Sequence, residues 1–239
     1  MSAFSLPSSA KPEFKAGRGR ASLSGSACKT LAVGLSCWIG LAAGQESVFK
    51  EKLADANLLA QIRQGGFVLY LRHGATDGSR ADRAPQVDLN DCSTQRLLSD
   101  AGRKQARELG FILQRAQIPV GEVIHSPMCR ARESAQLTFA AHPDLLRSEP
   151  LLAYTANLTS EEKKPVIAAT RALVSMRVAA GTNRVIVAHA PNMADLMGYF
   201  VKPEGTMVVL RPLGQSRFEY LGSIPPTHWD NLLAKMPKR

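Results

Sequence analysis

Aromatic residues make up only 6% of this 239-residue chain, and no run of basic residues is interleaved with them. The stacking platforms and phosphate-tracking stripes of nucleic-acid readers are therefore missing, despite a formal net charge of +10. No apolar run approaches the roughly 20 residues a membrane span requires. There is no internal repeat and no long low-complexity tract, which excludes solenoids and arrays. Five histidines are scattered without the His-x-x-x-His spacing of a zinc site. Four cysteines are too few for a disulfide-built scaffold. Hydrophobic residues at 45% and charged residues at 21% are ordinary values for a folded domain.

Acidic side chains are nearly absent from the first 44 positions, where Glu13 is the only one. Lys29 precedes an apolar stretch from Leu31 to Leu41, and the small residues Ala42-Ala43-Gly44 follow. A basic region, a short apolar stretch and small residues describe a secretory signal peptide cleaved after Gly44. An uncleaved anchor is the alternative, and a lipoprotein reading at Cys37 is weakened by Gly34. We therefore expect an export segment over 1–44, a single domain over 45–239, a periplasmic or secreted location, and no stable membrane span after processing. Without the first 44 residues, 25 basic side chains face 19 acidic ones, a moderately basic surface that attracts nucleic acid, anionic lipid or phosphorylated small molecules. The domain retains Cys92 and Cys129, a candidate disulfide in an oxidising compartment and two free buried thiols in a reducing one.

Along the domain, apolar and amphipathic segments alternate. Residues 46–64 carry apolar positions at helical spacing, and Gly65-Gly66 ends them. The run 67–72 has the composition of a buried strand, and the polar stretch 77–98 is a long loop of the kind that serves function. Ser99 caps a helix reaching about Ala116, and Glu122 to His125 form a second strand. Residues 129–140 and 160–179 follow as helices, Arg184–Ala188 as a strand, 192–200 as a short helix, and Met207–Leu210 and Arg217–Leu221 as closing strands. This alternation predicts an α/β fold, a three-layer α/β/α sandwich around a mostly parallel sheet.

Three strands end in polar residues: Arg72-His73, His125-Ser126 and His189. Ligands of open α/β sheets bind at those carboxyl ends. Arginine presents a planar fork that fits a phosphoryl group, and neutral imidazole is a nucleophile near neutral pH. Arg130 falls at a helix start, where the macrodipole disfavours a cation unless it meets an anion. Arg72, Arg130 and His189 would thus form an anion pocket with His73 placed to attack phosphorus, and no metal or cofactor is required. His125, His142 and His228 read as structural, Arg103 and Arg132 as solvated helix residues, and Cys129 lacks the partnered base of a nucleophile.

Arg72-His73-Gly74, the run Ser126-Pro127-Met128-Cys129-Arg130-Ala131 and the strand ending at His189 resemble the histidine phosphatase superfamily over about Gly65 to Leu221. The segment from Cys92 to Ala106 resembles that of exported bacterial members. The resemblance implies a phosphoglycerate mutase-like fold, His73 as the phosphorylated residue, and a phosphate pocket of Arg72, Arg130 and His189. Ser79 stands where some members carry a phosphate-contacting Asn. Asn157 and Ala190 stand where the two branches place an acidic proton donor, which leaves Glu204, Glu161, Glu162 and Asp77 as candidates, or none. The expected activity is hydrolysis of a phosphomonoester or phosphoramidate on a small molecule or surface glycan. A phospholigand-binding protein without turnover is the alternative, and a mutase the third reading.

Overall fold

The computed structural model describes residues 49–235. The export-segment reading of residues 1–44 lies outside them. Strand β1 (Val68–Arg72) is apolar on both faces because the sheet is covered on both faces. The other strands are β2 (Val120–His125), β3 (Leu146–Ser148), β4 (Asn183–Ala188), β5 (Met207–Gly214) and β6 (Arg217–Ile224), in the order β3-β2-β4-β1-β5-β6. β1 to β4 run parallel, and β5 and β6 add an antiparallel hairpin. Helices α1 (Ala56–Ile62), α2 (Asp100–Arg115), α3 (Cys129–Thr138) and α6 (Trp229–Ala234) cover the face of Leu69, Leu71, Val123, Val185 and Val187. Helices α4 (Ser160–Ser175) and α5 (Ala190–Met197) cover the face of Val68, Tyr70, Ile124, Ile186 and Ala188. The result is the expected three-layer α/β/α sandwich. Each fully buried Leu or Ile contributes about 1.5–3 kcal/mol to holding the layers together.

Several boundaries differ from the sequence reading, each for a tertiary reason. The described part of 46–64 is helical only from Ala56, where Asp55 caps the Leu58 N–H. Before it the chain is extended along β6: Ala54 N–H donates to Ser223 O at 2.9 Å and Ser223 N–H to Lys52 O at 2.8 Å. Phe49 stacks on Tyr199 instead of facing a helix seam. α4 stops at Ser175 rather than near 179, because Arg184 reaches back from β4 and donates to the Leu173 and Met176 carbonyls. α5 begins at Ala190, two residues early, with Pro191 tolerated in its first turn. β3 is a three-residue edge strand too short to carry a pattern, and α6 was not anticipated, although Trp229 is 1% exposed. β5 and β6 extend further than expected and meet at Gln215-Ser216, both with positive φ, as a tight hairpin requires. Among the described residues no helix is long and apolar enough to cross a membrane.

Candidate active site

β2, β4 and β1 are neighbours in the sheet, so their carboxyl ends open side by side. The register is continued past the strands: His73 N–H donates to Ala188 O at 3.1 Å, and Ser126 N–H donates to Val187 O at 2.9 Å. This sets His73, His189 and Ser126 in one row at the sheet edge. The His73 and His189 rings are 5.3 Å apart between centroids, edge to face.

His73 is 2% exposed, and its Nδ1 lies 2.9 Å from the Gly74 carbonyl. A carbonyl only accepts, so Nδ1 carries the proton and the Nε2 lone pair is free. Burial, then the positive charge of Arg130, holds the imidazole well below the ordinary histidine range. It is therefore neutral near pH 7 and nucleophilic at Nε2. The turn that aims it is fixed by α3 and α2: Gly74 N–H donates to Ser134 Oγ at 2.9 Å, and Ala75 N–H to Gln105 Oε1 at 3.0 Å.

His189 is fully buried and its pKa is lowered in the same way, by burial first and Arg130 second. Its Nε2 lies 2.8 Å from Ser126 Oγ. Met128 N–H donates to the same oxygen, and the hydroxyl proton then satisfies Nε2 when Nδ1 carries the imidazole proton. His189 Nδ1, Arg72 Nε and Arg130 Nε are buried donors without a protein partner among the described residues. Unpartnered buried donors of this kind suit an oxyanion.

Arg130, in the first turn of α3, is fully buried. The cation at this dipole end is balanced by Asp82, whose carboxylate meets the guanidinium fork at 2.9 and 3.2 Å. The Tyr154 ring lies 4.7 Å below the guanidinium and also meets His189. Arg72 donates to Val201 O at 2.7 Å and pairs with Glu204 at 3.3 Å, while Phe200 flanks it.

The structure thus brings Arg72, His73, Arg130 and His189 to one end of the sheet. Ser79 is placed elsewhere: it is exposed and donates to Asp77 Oδ1 on the loop. Of the four carboxylates considered, Glu204 alone touches a pocket arginine. Asp77 is half-buried and accepts from Ser79, Glu161 pairs with Lys164, and Glu162 completes the capping box of α4 with Thr159. Sequence reasoning missed Asp82, Arg96 and Tyr154. The long 77–98 loop was the only signal for the first two, since neither sits at a spacing that links it to a strand end.

Cys92 and Cys129 are joined by a disulfide that ties this loop to α3 beside Arg130. Gln95 Oε1 accepts from Cys129 N–H at 2.7 Å and reinforces the tie. Among the described residues, no group of three His, Cys, Asp or Glu side chains gathers as a metal-binding cluster would.

Residues 68–164, from β1 into α4, match the model described as histidine phosphatase superfamily, branch 1. No curated protein matches the chain in sequence. Among solved structures, the protein histidine phosphatase SixA complexed with tungstate is similar at 14% identity, over 68% of this chain and 98% of that one, with a TM-score of 0.48. A mycobacterial glucosyl-3-phosphoglycerate phosphatase is similar at 21% identity, over 66% and 98%, with a TM-score of 0.47. The alpha-ribazole phosphatase of Shigella flexneri is similar at 16% identity, over 67% and 96%, with a TM-score of 0.47. Over residues 68–164 the chain is similar to the histidine phosphatase superfamily, branch 1.

Proposed function

We propose that this protein is a phosphatase that hydrolyses a phosphomonoester or phosphoramidate through a phosphohistidine at His73. The observation that carries the reading is a buried, neutral His73 with a free Nε2, set beside Arg130, Arg72 and a second buried imidazole. Arginine forks and imidazole N–H groups stabilise the charge on the equatorial oxygens of a transferring phosphoryl group. His73 Nε2 attacks phosphorus, and water then releases phosphate from the nitrogen. The chemistry of these residues calls for no metal or cofactor. The family match supports the phosphatase class. The substrate is a phosphorylated small molecule or surface glycan, and nucleic acid is not a partner. The reading of 1–44 as a signal peptide and the Cys92–Cys129 disulfide support a periplasmic or secreted location.

The test is hydrolysis of p-nitrophenyl phosphate by the wild type and by His73→Ala, together with acid quench to trap phosphoenzyme. We expect a loss of at least about 1,000-fold in the variant and an acid-labile phosphoenzyme in the wild type. Full activity of His73→Ala would remove the mechanism. A second reading, a phospholigand-binding protein without turnover, is favoured by the Asp82 carboxylate held on the Arg130 fork. Tight phosphate binding without phosphoenzyme would identify it.

A further inference from the structure

We infer that Asp82, carried on the loop between β1 and α2, is the catalytic acid of this site, giving a proton to the leaving oxygen and recovering one from the attacking water. The inference rests on the phosphatase reading above and assigns a residue that the sequence pattern did not offer.

The position of the carboxylate argues for it. Both Asp82 oxygens lie on the Nη1 and Nη2 groups of Arg130, whose charge acts on both pocket histidines. Arg96 N–H donates to Oδ1 at 2.8 Å, and Asn157 Nδ2 reaches Oδ2 at 3.4 Å. An acid at this point stands beside any phosphoryl group that engages the same fork.

Mobility separates Asp82 from Glu204, the other carboxylate on a pocket arginine. Glu204 accepts from Thr76 N–H and Oγ1, its carbonyl accepts from Gln105, and the next residue donates to the carbonyls of Arg72 and His73. It is fixed from both sides and serves to hold Arg72. The Asp82 backbone makes no hydrogen bond among the described residues, and the next residue, Arg83, donates to Thr94 O at 2.9 Å within the same loop. The side chain yields the Arg130 fork to substrate by giving up the Arg96 N–H and Asn157 contacts as well, and no strand or helix is unpicked.

A carboxylate in the free site does not preclude a carboxylic acid in the complex. A phosphate monoester near neutral pH is partly a monoanion. When that monoanion binds beside Asp82, two anionic groups share one site, and the proton is retained between them. It passes to Asp82 as the phosphoryl dianion settles on Arg130. His73 Nε2 then forms its bond to phosphorus, the P–O bond breaks, and the electron pair on the leaving oxygen takes the Asp82 proton. In the second half, water attacks phosphorus, the N–P bond breaks with its pair returning to Nε2, and the water proton goes to the Asp82 carboxylate. The products are alcohol and phosphate: His73 is neutral again, and Asp82 returns its proton to phosphate, which leaves as the monoanion while Asp82 resumes its ion pair with Arg130.

The experiment compares two esters that differ in their need for a proton: an alkyl phosphate such as glycerol phosphate, and 2,4-dinitrophenyl phosphate, whose leaving group departs as a stable anion. In Asp82→Asn, kcat for the alkyl ester should fall at least 100-fold more than kcat for the dinitrophenyl ester. Asp82→Glu, which keeps an ionisable proton, should recover part of the alkyl-ester rate, and recovery also excludes a folding defect. Equal losses on both esters, or no loss on either, would overturn the assignment while His73-dependent turnover of the dinitrophenyl ester left the phosphatase reading intact. A wild type that turned over neither ester would remove both.

Discussion

Gly102 and Ala75 touch backbone to backbone: a methyl group on Gly102 would overlap the Ala75 carbonyl oxygen. Ala75 is two residues beyond His73, and the same carbonyl accepts from Ser99 N–H at 3.0 Å. The first turn of α2 is thus seated on the loop that orients the candidate nucleophile. Helix propensity alone makes Gly102→Ala stabilising by up to about 1 kcal/mol. Because backbone rather than a flexible side chain would be struck, we expect the reverse, a loss of more than about 2 kcal/mol. Activity should fall with it as the His73 turn shifts. Urea unfolding of the variant measures the sign, and a midpoint equal to or above the wild type would contradict the packing argument.

Arg130→Lys preserves charge but not the fork. Lysine makes one point contact where the guanidinium makes two parallel hydrogen bonds. The expected outcome is a folded protein whose affinity for inorganic phosphate is weaker by more than about 2 kcal/mol, or roughly 30-fold. Inhibition by phosphate gives the constant, and an unchanged value would place phosphate away from Arg130.

The Cys92–Cys129 bond closes a sequence separation of 37 residues. In the chain-entropy account, a loop of that size stabilises by about 4 kcal/mol. Reductant, or the double variant C92A/C129A, should lower the denaturation midpoint accordingly and raise KM, since Gln95 and Arg96 lose their tie to α3. Identical unfolding curves with and without reductant would show that the bridge contributes nothing.

Burial holds His73, His189 and His125 below the ordinary histidine pKa. Below about pH 6.5 the unfolded chain takes up protons that the native histidines refuse. Stability is therefore complete above that pH and declines as the pH falls through it. Tm measured from pH 8 to pH 5 should drop over the lower part of the range, and the slope should lessen in His125→Asn, which lies outside the pocket. A flat Tm across that range would refute the assignment of buried neutral histidines.

Much of the fold was legible because its signals are local. Apolar strand runs and the Ser99 cap are written in consecutive residues. The elements read least well are those that depend on distant partners. The extended segment before α1 owes its shape to β6, and the early end of α4 to Arg184. The three-residue β3 exists because β2 offers it an edge.

The site divides along the same line. Arg72, His73, Arg130 and His189 were identifiable because strand ends have a fixed relation to a parallel sheet, so their order along the chain implies convergence. Asp82, Arg96 and Tyr154 belong to irregular connections with no period to read. The layers, the strand ends and the residue types that gather there follow from short stretches of sequence, since burial and backbone periodicity act within each segment. Which carboxylate meets Arg130 follows from the folded chain, because a loop's course is set by long-range ties: here the Cys92–Cys129 bond, Gln95 on α3 and the ion pair itself.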